Sequence, residues 1–160
     1  MISLNLFFNI MIIIDKMHPD FPEAVGKLVS LSLTLMKCAS ENCSEQKNKA
    51  LSDKALVKKY NEYKLEQNKS KKIKLFAELN NNTIMYELNK CTIQNCKKIL
   101  EDIVNIFKSI ITMLPQPAEK SVKLNKIIKN IETIINSPEI TEKEYKKYLK
   151  IINDIVKTLN

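Results

Sequence analysis

The four cysteines of this chain fall in two matching segments. Leu35-Met36-Lys37-Cys38-Ala39-Ser40-Glu41-Asn42-Cys43 is echoed by Leu88-Asn89-Lys90-Cys91-Thr92-Ile93-Gln94-Asn95-Cys96, and both read L-x-K-C-x-x-x-N-C. Thiols so arranged can form two disulfides, hold one metal ion, or sit reduced as small apolar core residues. Within each pair the cysteines are five positions apart, which on a continuous helix means a turn of about 140° and a rise of about 7.5 Å. That exceeds the ~7 Å Cα separation a disulfide tolerates. A local bridge therefore requires the helix to break; if the helices persist, each cysteine must reach the other segment.

Antiparallel packing would pair Cys38 with Cys96 and Cys43 with Cys91, whereas parallel packing would pair Cys38 with Cys91 and Cys43 with Cys96. The antiparallel pairing is the favoured hypothesis, with each link contributing about 2–4 kcal/mol. For a metal, C-x4-C twice lies at the edge of structural zinc spacing. The intervening Ala-Ser-Glu-Asn and Thr-Ile-Gln-Asn contain no Gly or Pro, which counts against a tight knuckle. Zinc stays open as a cofactor, and no other is indicated. A redox enzyme needs a low-pKa thiol, typically in Cys-x-x-Cys or beside a base, and neither pattern occurs.

Other catalytic chemistry is thin. His18, the one histidine, lies between Met17 and Pro19 with no neighbouring nucleophile. Glu41 with Glu45, and Glu101 with Asp102, read as solvated partners of nearby lysines. Tyr60, Tyr63, Tyr145 and Tyr148 stand at helical spacing among lysines; such rings can stack on bases, but more often are half-buried with a wet hydroxyl. The single glycine, Gly26, excludes a P-loop and a dinucleotide fingerprint, since both need several. No catalytic residue is assigned, and the chain is expected not to be an enzyme.

These residues belong to a chain of 160, 44% hydrophobic and 28% charged, enough for one globular domain with a real core. The net charge is +8, and every one of the 26 basic residues is Lys. Lys, Asn and Ile crowd the sequence together, as in an AT-rich genome. The functional reading is attraction to nucleic acid, with Lys58, Lys59, Lys71 and Lys72 as candidates. Absence of Arg weakens specific base readout.

Residues 1–16 form an apolar tail. Met1 to Ile14 is nearly all apolar, yet shorter than the ~18–20 residues a spanning helix needs. It reads as a start-site extension, a signal or an anchor, with Met11 and Met17 as alternative starts. Residues 17–114 are expected to form a helical core carrying the cysteine segments. Pro22 suits a first helical turn, and Val25 to Met36 runs apolar almost all round, as in a buried helix. Ser52 and Ser70 are candidate N-caps, and Asn80-Asn81-Asn82 a helix end through left-handed asparagine. From Thr92 to Leu114 the apolar stripe predicts one long amphipathic helix, stopped by Pro115 and Pro117. Residues 118–160 are expected to form an antiparallel helical hairpin, with a turn at Ser137-Pro138 and a capping box of Thr141 and Glu144. The class is all-α: a multi-helix bundle.

The Met17-His18-Pro19-Asp20-Phe21-Pro22 opening, the doubled cysteine segment and the Lys/Asn/Ile-rich composition resemble small helical proteins encoded by AT-rich nucleocytoplasmic large DNA viruses. The resemblance covers roughly residues 17–114 and carries no catalytic residues. It implies disulfides formed by a viral thiol oxidase, and residence in host cytoplasm or virion. The expectation is a non-enzymatic structural or interaction protein, as a virion component, stapled through Cys38, Cys43, Cys91 and Cys96. Its expected partner is a protein or a second copy of itself; membrane contact would run only through residues 1–14. The alternatives are a Lys-rich nucleic-acid-associated protein and a zinc-binding helical module.

Overall fold

The computed structural model describes residues 22–113 and 119–159. Over these the chain is all-α: eight helices and, among the described residues, no strand. They are α1 (Pro22–Asn42), α2 (Ser44–Ser52), α3 (Lys54–Leu65), α4 (Lys69–Asn80), α5 (Thr83–Asn95), α6 (Lys97–Thr112), α7 (Glu119–Asn136) and α8 (Glu142–Leu159). The apolar tail of residues 1–16, His18 and the Pro115–Pro117 stop lie outside the described residues.

Helix ends follow the local chemistry, with differences. α1 opens at Pro22, where a missing N–H costs nothing. Asp53, rather than Ser52, caps α3: it is extended, and its carboxylate accepts the Leu56 N–H. Ser52 ends α2 and donates instead to Asn48 O. Asn68, rather than Ser70, caps α4 by accepting the Lys71 N–H. Asn81 ends α4 without entering the left-handed region (φ −82°, ψ 11°), and Asn82 caps α5 through the Ile84 N–H. Thr141 Oγ1 accepts the Glu144 N–H at 3.2 Å, which is the Thr half of the expected capping box.

The long helix expected from Thr92 is two helices. It breaks at Cys96, as the first segment breaks at Cys43. The apolar stripe does not register this, because a single-residue change of backbone angle leaves the spacing of three and four nearly intact. α1 is also not buried all round. Leu28, Leu35 and Ala39 face the core, while Leu33 is 62% exposed.

The interior holds two clusters. The larger joins α1, α6, α7 and α8 through residues such as Leu35, Leu100, Phe107, Ile131 and Leu149. α7 and α8 pack on each other, α7 packs on α6, and α8 on α4 and α5, so residues 119–159 share this core with the earlier helices. The smaller cluster lies among α2, α3, α4 and α5, around Tyr63, Phe76, Leu79 and Leu88. Tyr60 and Tyr63 are buried there, at 5% and 2% exposure, instead of half-buried. Their rings are worth more removed from water than at a helix surface.

Candidate functional site

The cysteine segments meet as two helical elbows. Cys43 is the single residue between α1 and α2, and Cys96 the single residue between α5 and α6. Their backbones agree closely: φ −127°, ψ 33° at Cys43 and φ −122°, ψ 27° at Cys96. Departure of both φ and ψ from the helical values near −63° and −42° redirects the chain at each. Each corner residue nonetheless keeps its own helical bonds. The Cys43 N–H donates to Ala39 O at 2.8 Å and its carbonyl accepts from Lys47 N at 2.9 Å; the Cys96 N–H donates to Thr92 O at 2.8 Å and its carbonyl accepts from Leu100 N at 3.2 Å.

The asparagine preceding each elbow supports it. Asn42 Nδ2 donates to Cys38 O at 2.9 Å, and Asn95 Nδ2 to Cys91 O at 2.8 Å. Each adds a side-chain bond back to the carbonyl four residues earlier, in the last turn of its helix. The same amides lie 3.5 Å and 3.4 Å from Cys38 Sγ and Cys91 Sγ. The leucine that opens each motif, Leu35 or Leu88, is fully buried.

Two disulfides join the elbows: Cys38–Cys96, with Cα atoms 6.2 Å apart, and Cys43–Cys91, at 6.0 Å. The first cysteine of each motif bonds the second cysteine of the other, so the two segments run antiparallel and their roles exchange about an approximate twofold. Contacts across the seam repeat the same exchange. Cys38 Sγ lies 3.7 Å from Asn95 O, and Cys91 Sγ 3.6 Å from Asn42 O. A disulfide sulfur carries no proton, so these are S···O contacts and not hydrogen bonds. The bridges also divide between the clusters. Cys96 is part of the larger one with Cys38 packed against it, and Cys43 and Cys91 are part of the smaller. Three of the four sulfur-bearing residues are buried, and Cys38 is half-buried.

The favoured pairing is therefore the one present, although the helices break. Each corner residue keeps its own helical bonds, and each cysteine pair is directed at the opposite segment. With all four sulfurs in disulfides, no thiolate remains in this state to hold zinc. Among the described residues no group of three or more His, Cys, Asp or Glu side chains is placed to bind a metal. The sequence reading missed the asparagines; their signal was their shared place one residue before the second cysteine.

The four candidate lysines do not converge. Lys59 pairs with Glu78 at 3.5 Å, and Lys72 lies 5.0 Å from the centre of the Tyr63 ring, so both help join α3 to α4. Lys58 and Lys71 are exposed.

A second polar feature lies where α8 crosses α5. The Tyr145 hydroxyl accepts a hydrogen bond from Asn89 Nδ2, and Asn89 also lies within 3.5 Å of Asn80 Oδ1. All three residues are buried. Burial pushes the Tyr145 phenol well above its ordinary value, partly offset by the Asn89 bond. The Tyr86 hydroxyl donates to Ile140 O at 2.7 Å, fixing the link before α8. At the exposed start of α8, the Thr83 hydroxyl donates to Glu142 at 2.8 Å and Lys146 pairs with it at 3.1 Å. These hydrogen bonds, Thr83 foremost, hold the Glu142 carboxyl below its usual value.

Among the described residues no helix is long and apolar enough to cross a membrane; the anchor expected in residues 1–14 lies outside them. No protein-family model, curated protein or solved structure matches this chain.

Proposed function

We propose that this chain is a non-enzymatic structural and interaction protein, stapled by its two disulfides, and that it serves as a component of a virus particle. The observation that carries the reading is the reciprocal cross-linking of two helical elbows, with one bridge in each core cluster. Bridges of that kind hold the two core clusters together by restricting the unfolded chain, and they persist best outside the reducing cytoplasm, as in a released particle. Exposed Leu51 (53%) and Leu65 (78%) on α2 and α3 give apolar surface for a protein neighbour.

The test is to purify particles on a density gradient, alkylate them without reduction, and map the peptides. The expected result is this chain in the particle fraction with Cys38–Cys96 and Cys43–Cys91 intact. Recovery only from a soluble host-cell pool removes the particle role, and four alkylated thiols remove the staple.

A further inference from the structure

α8 carries its lysines on one side at helical spacing. Lys143, Lys146, Lys147, Lys150 and Lys157 all line one half-open cavity of about 500 Å³ between α8 and the end of α4. Asp154 is the one carboxylate among its lining residues. Like charges three or four positions apart cost a helix about 0.2–0.5 kcal/mol per pair. Here they accumulate with little compensation. Lys146 is paired with Glu142, whereas Lys143, Lys147, Lys150 and Lys157 have no ion pair among the described residues. A merely solvated helix face would be expected to intersperse acids with its bases, as the first turn of α8 does with Glu142 and Glu144.

Two buried asparagines stand beside Ala77 and Leu149 in the wall of the cavity. Asn80 and Asn153 line it and are 1% and 6% exposed. Asn80 is held by a bond from its Nδ2 to Phe76 O at 3.1 Å. The carbonyl end of α4, near Asn81, opposes an anion, but a helix terminus acts as only about half a charge. Four ammonium groups without an ion pair, set against the one lining carboxylate of Asp154, outweigh it.

We propose that this cavity binds a small polyphosphate anion, the phosphate chain lying among the lysines of α8. Lysine suits the task, being a strongly hydrated point charge that binds phosphate without demanding a planar partner. The volume falls in the range of small-ligand sites. A nucleic-acid strand is the less fitting occupant. α4 walls one side of the cavity, and no aromatic ring is among its lining residues to stack on bases: Tyr60, Tyr63 and Tyr145 are buried, and the partly buried Tyr148 packs against the larger cluster. The inference is independent of the particle role proposed above.

The experiment is calorimetric titration of the full, disulfide-intact chain with sodium tripolyphosphate, with ATP, and with an oligothymidine strand, at about 50 mM and about 200 mM salt. Tripolyphosphate is expected to bind one per chain and more weakly at higher salt. Equal affinity for ATP identifies the phosphate chain alone as the determinant; tighter ATP binding identifies a nucleotide. The variant Lys147→Glu/Lys150→Glu is expected to weaken tripolyphosphate at least about tenfold, since it reverses two charges at the cavity. Lys58→Glu/Lys71→Glu, remote in the sequence and on other helices, is expected to change it by less than about twofold. Both α8 lysines are exposed, so the double variant should keep its helical circular dichroism and melting temperature. The milder Lys147→Gln/Lys150→Gln variant provides the same test if the charge reversal unfolds the protein. Absence of tripolyphosphate binding, binding insensitive to both α8 variants, or binding of the oligonucleotide alone overturns the proposal.

Discussion

Cys43 and Cys96 occupy the same backbone position in two separate elbows, with φ and ψ agreeing within 6°. Each is bonded to the first cysteine of the other's motif. Equivalent corners, equivalent supporting asparagines and exchanged bridges together explain why the nine-residue motif occurs twice. The leucine buries itself, the first cysteine reaches across, the asparagine bonds back to the first cysteine's carbonyl, and the second cysteine turns the chain.

That geometry predicts how the bridges share stability. Either bridge alone closes a long loop, across separations of 58 or 48 residues. With one in place, the other closes a ring of only about twelve residues, so losing one is expected to cost about 3 kcal/mol and losing both about 7 kcal/mol. Chemical denaturation of Cys38→Ser/Cys96→Ser, of Cys43→Ser/Cys91→Ser and of the fourfold variant checks this. A single-bridge variant as unstable as the fourfold one would mean the bridges act as one unit.

The supporting asparagines should behave alike. Asn42→Ala and Asn95→Ala each remove one side-chain bond to the carbonyl four residues back, and each is expected to destabilise the fold by about 0.5–1.5 kcal/mol. The cross-links should survive in both variants. Peptide mapping without reduction would show a shifted pairing if the asparagines instead select the partner.

The buried Asn89–Tyr145 pair makes a sharper prediction. Tyr145→Phe strands an amide donor in the core and is expected to cost about 1–3 kcal/mol. Asn89→Leu/Tyr145→Phe together should cost less than the sum of the single changes, because no donor is then left behind. A double-mutant cycle that sums without coupling would show that the contact contributes nothing.

The raised Tyr145 phenol adds a pH dependence. Because the folded state favours the neutral phenol, its contribution is fully present below the ordinary tyrosine value of 10.0 and is lost as pH rises above it. Burial raises Tyr60 in the same direction. Melting temperature should therefore fall from about pH 10 upward, and Tyr145→Phe should flatten that fall.

Glu142 works in the opposite sense. Its lowered carboxyl favours the ionised form in the folded state, so the tether to Thr83 is fully present above the ordinary value of 4.5 and is lost as pH falls below it. NMR titration should find Thr83→Ala raising the Glu142 midpoint back towards that value. An unmoved midpoint would assign the shift to Lys146 instead.

The sequence by itself determined the helical class, the opening of α1 at Pro22, the interruption at Asn80–Asn82 and the strong apolar faces of α6, α7 and α8. These follow from side-chain spacing and local backbone chemistry, which a linear reading contains. It also showed the cysteine segments to be equivalent, but it left three pairings open, with Cys38–Cys96 and Cys43–Cys91 as the favoured hypothesis, and the tertiary structure has that pairing. Only the tertiary structure decided that both helices turn at their second cysteine. A change of φ and ψ at one residue leaves no residue signature and scarcely disturbs the apolar stripe. Tertiary packing likewise decided that Tyr60 and Tyr63 are buried, that Lys59 and Lys72 are engaged between helices, and that the lysines of α8 face a cavity. Each of these depends on which surface of one helix meets another, a relation that periodicity within a single helix does not specify.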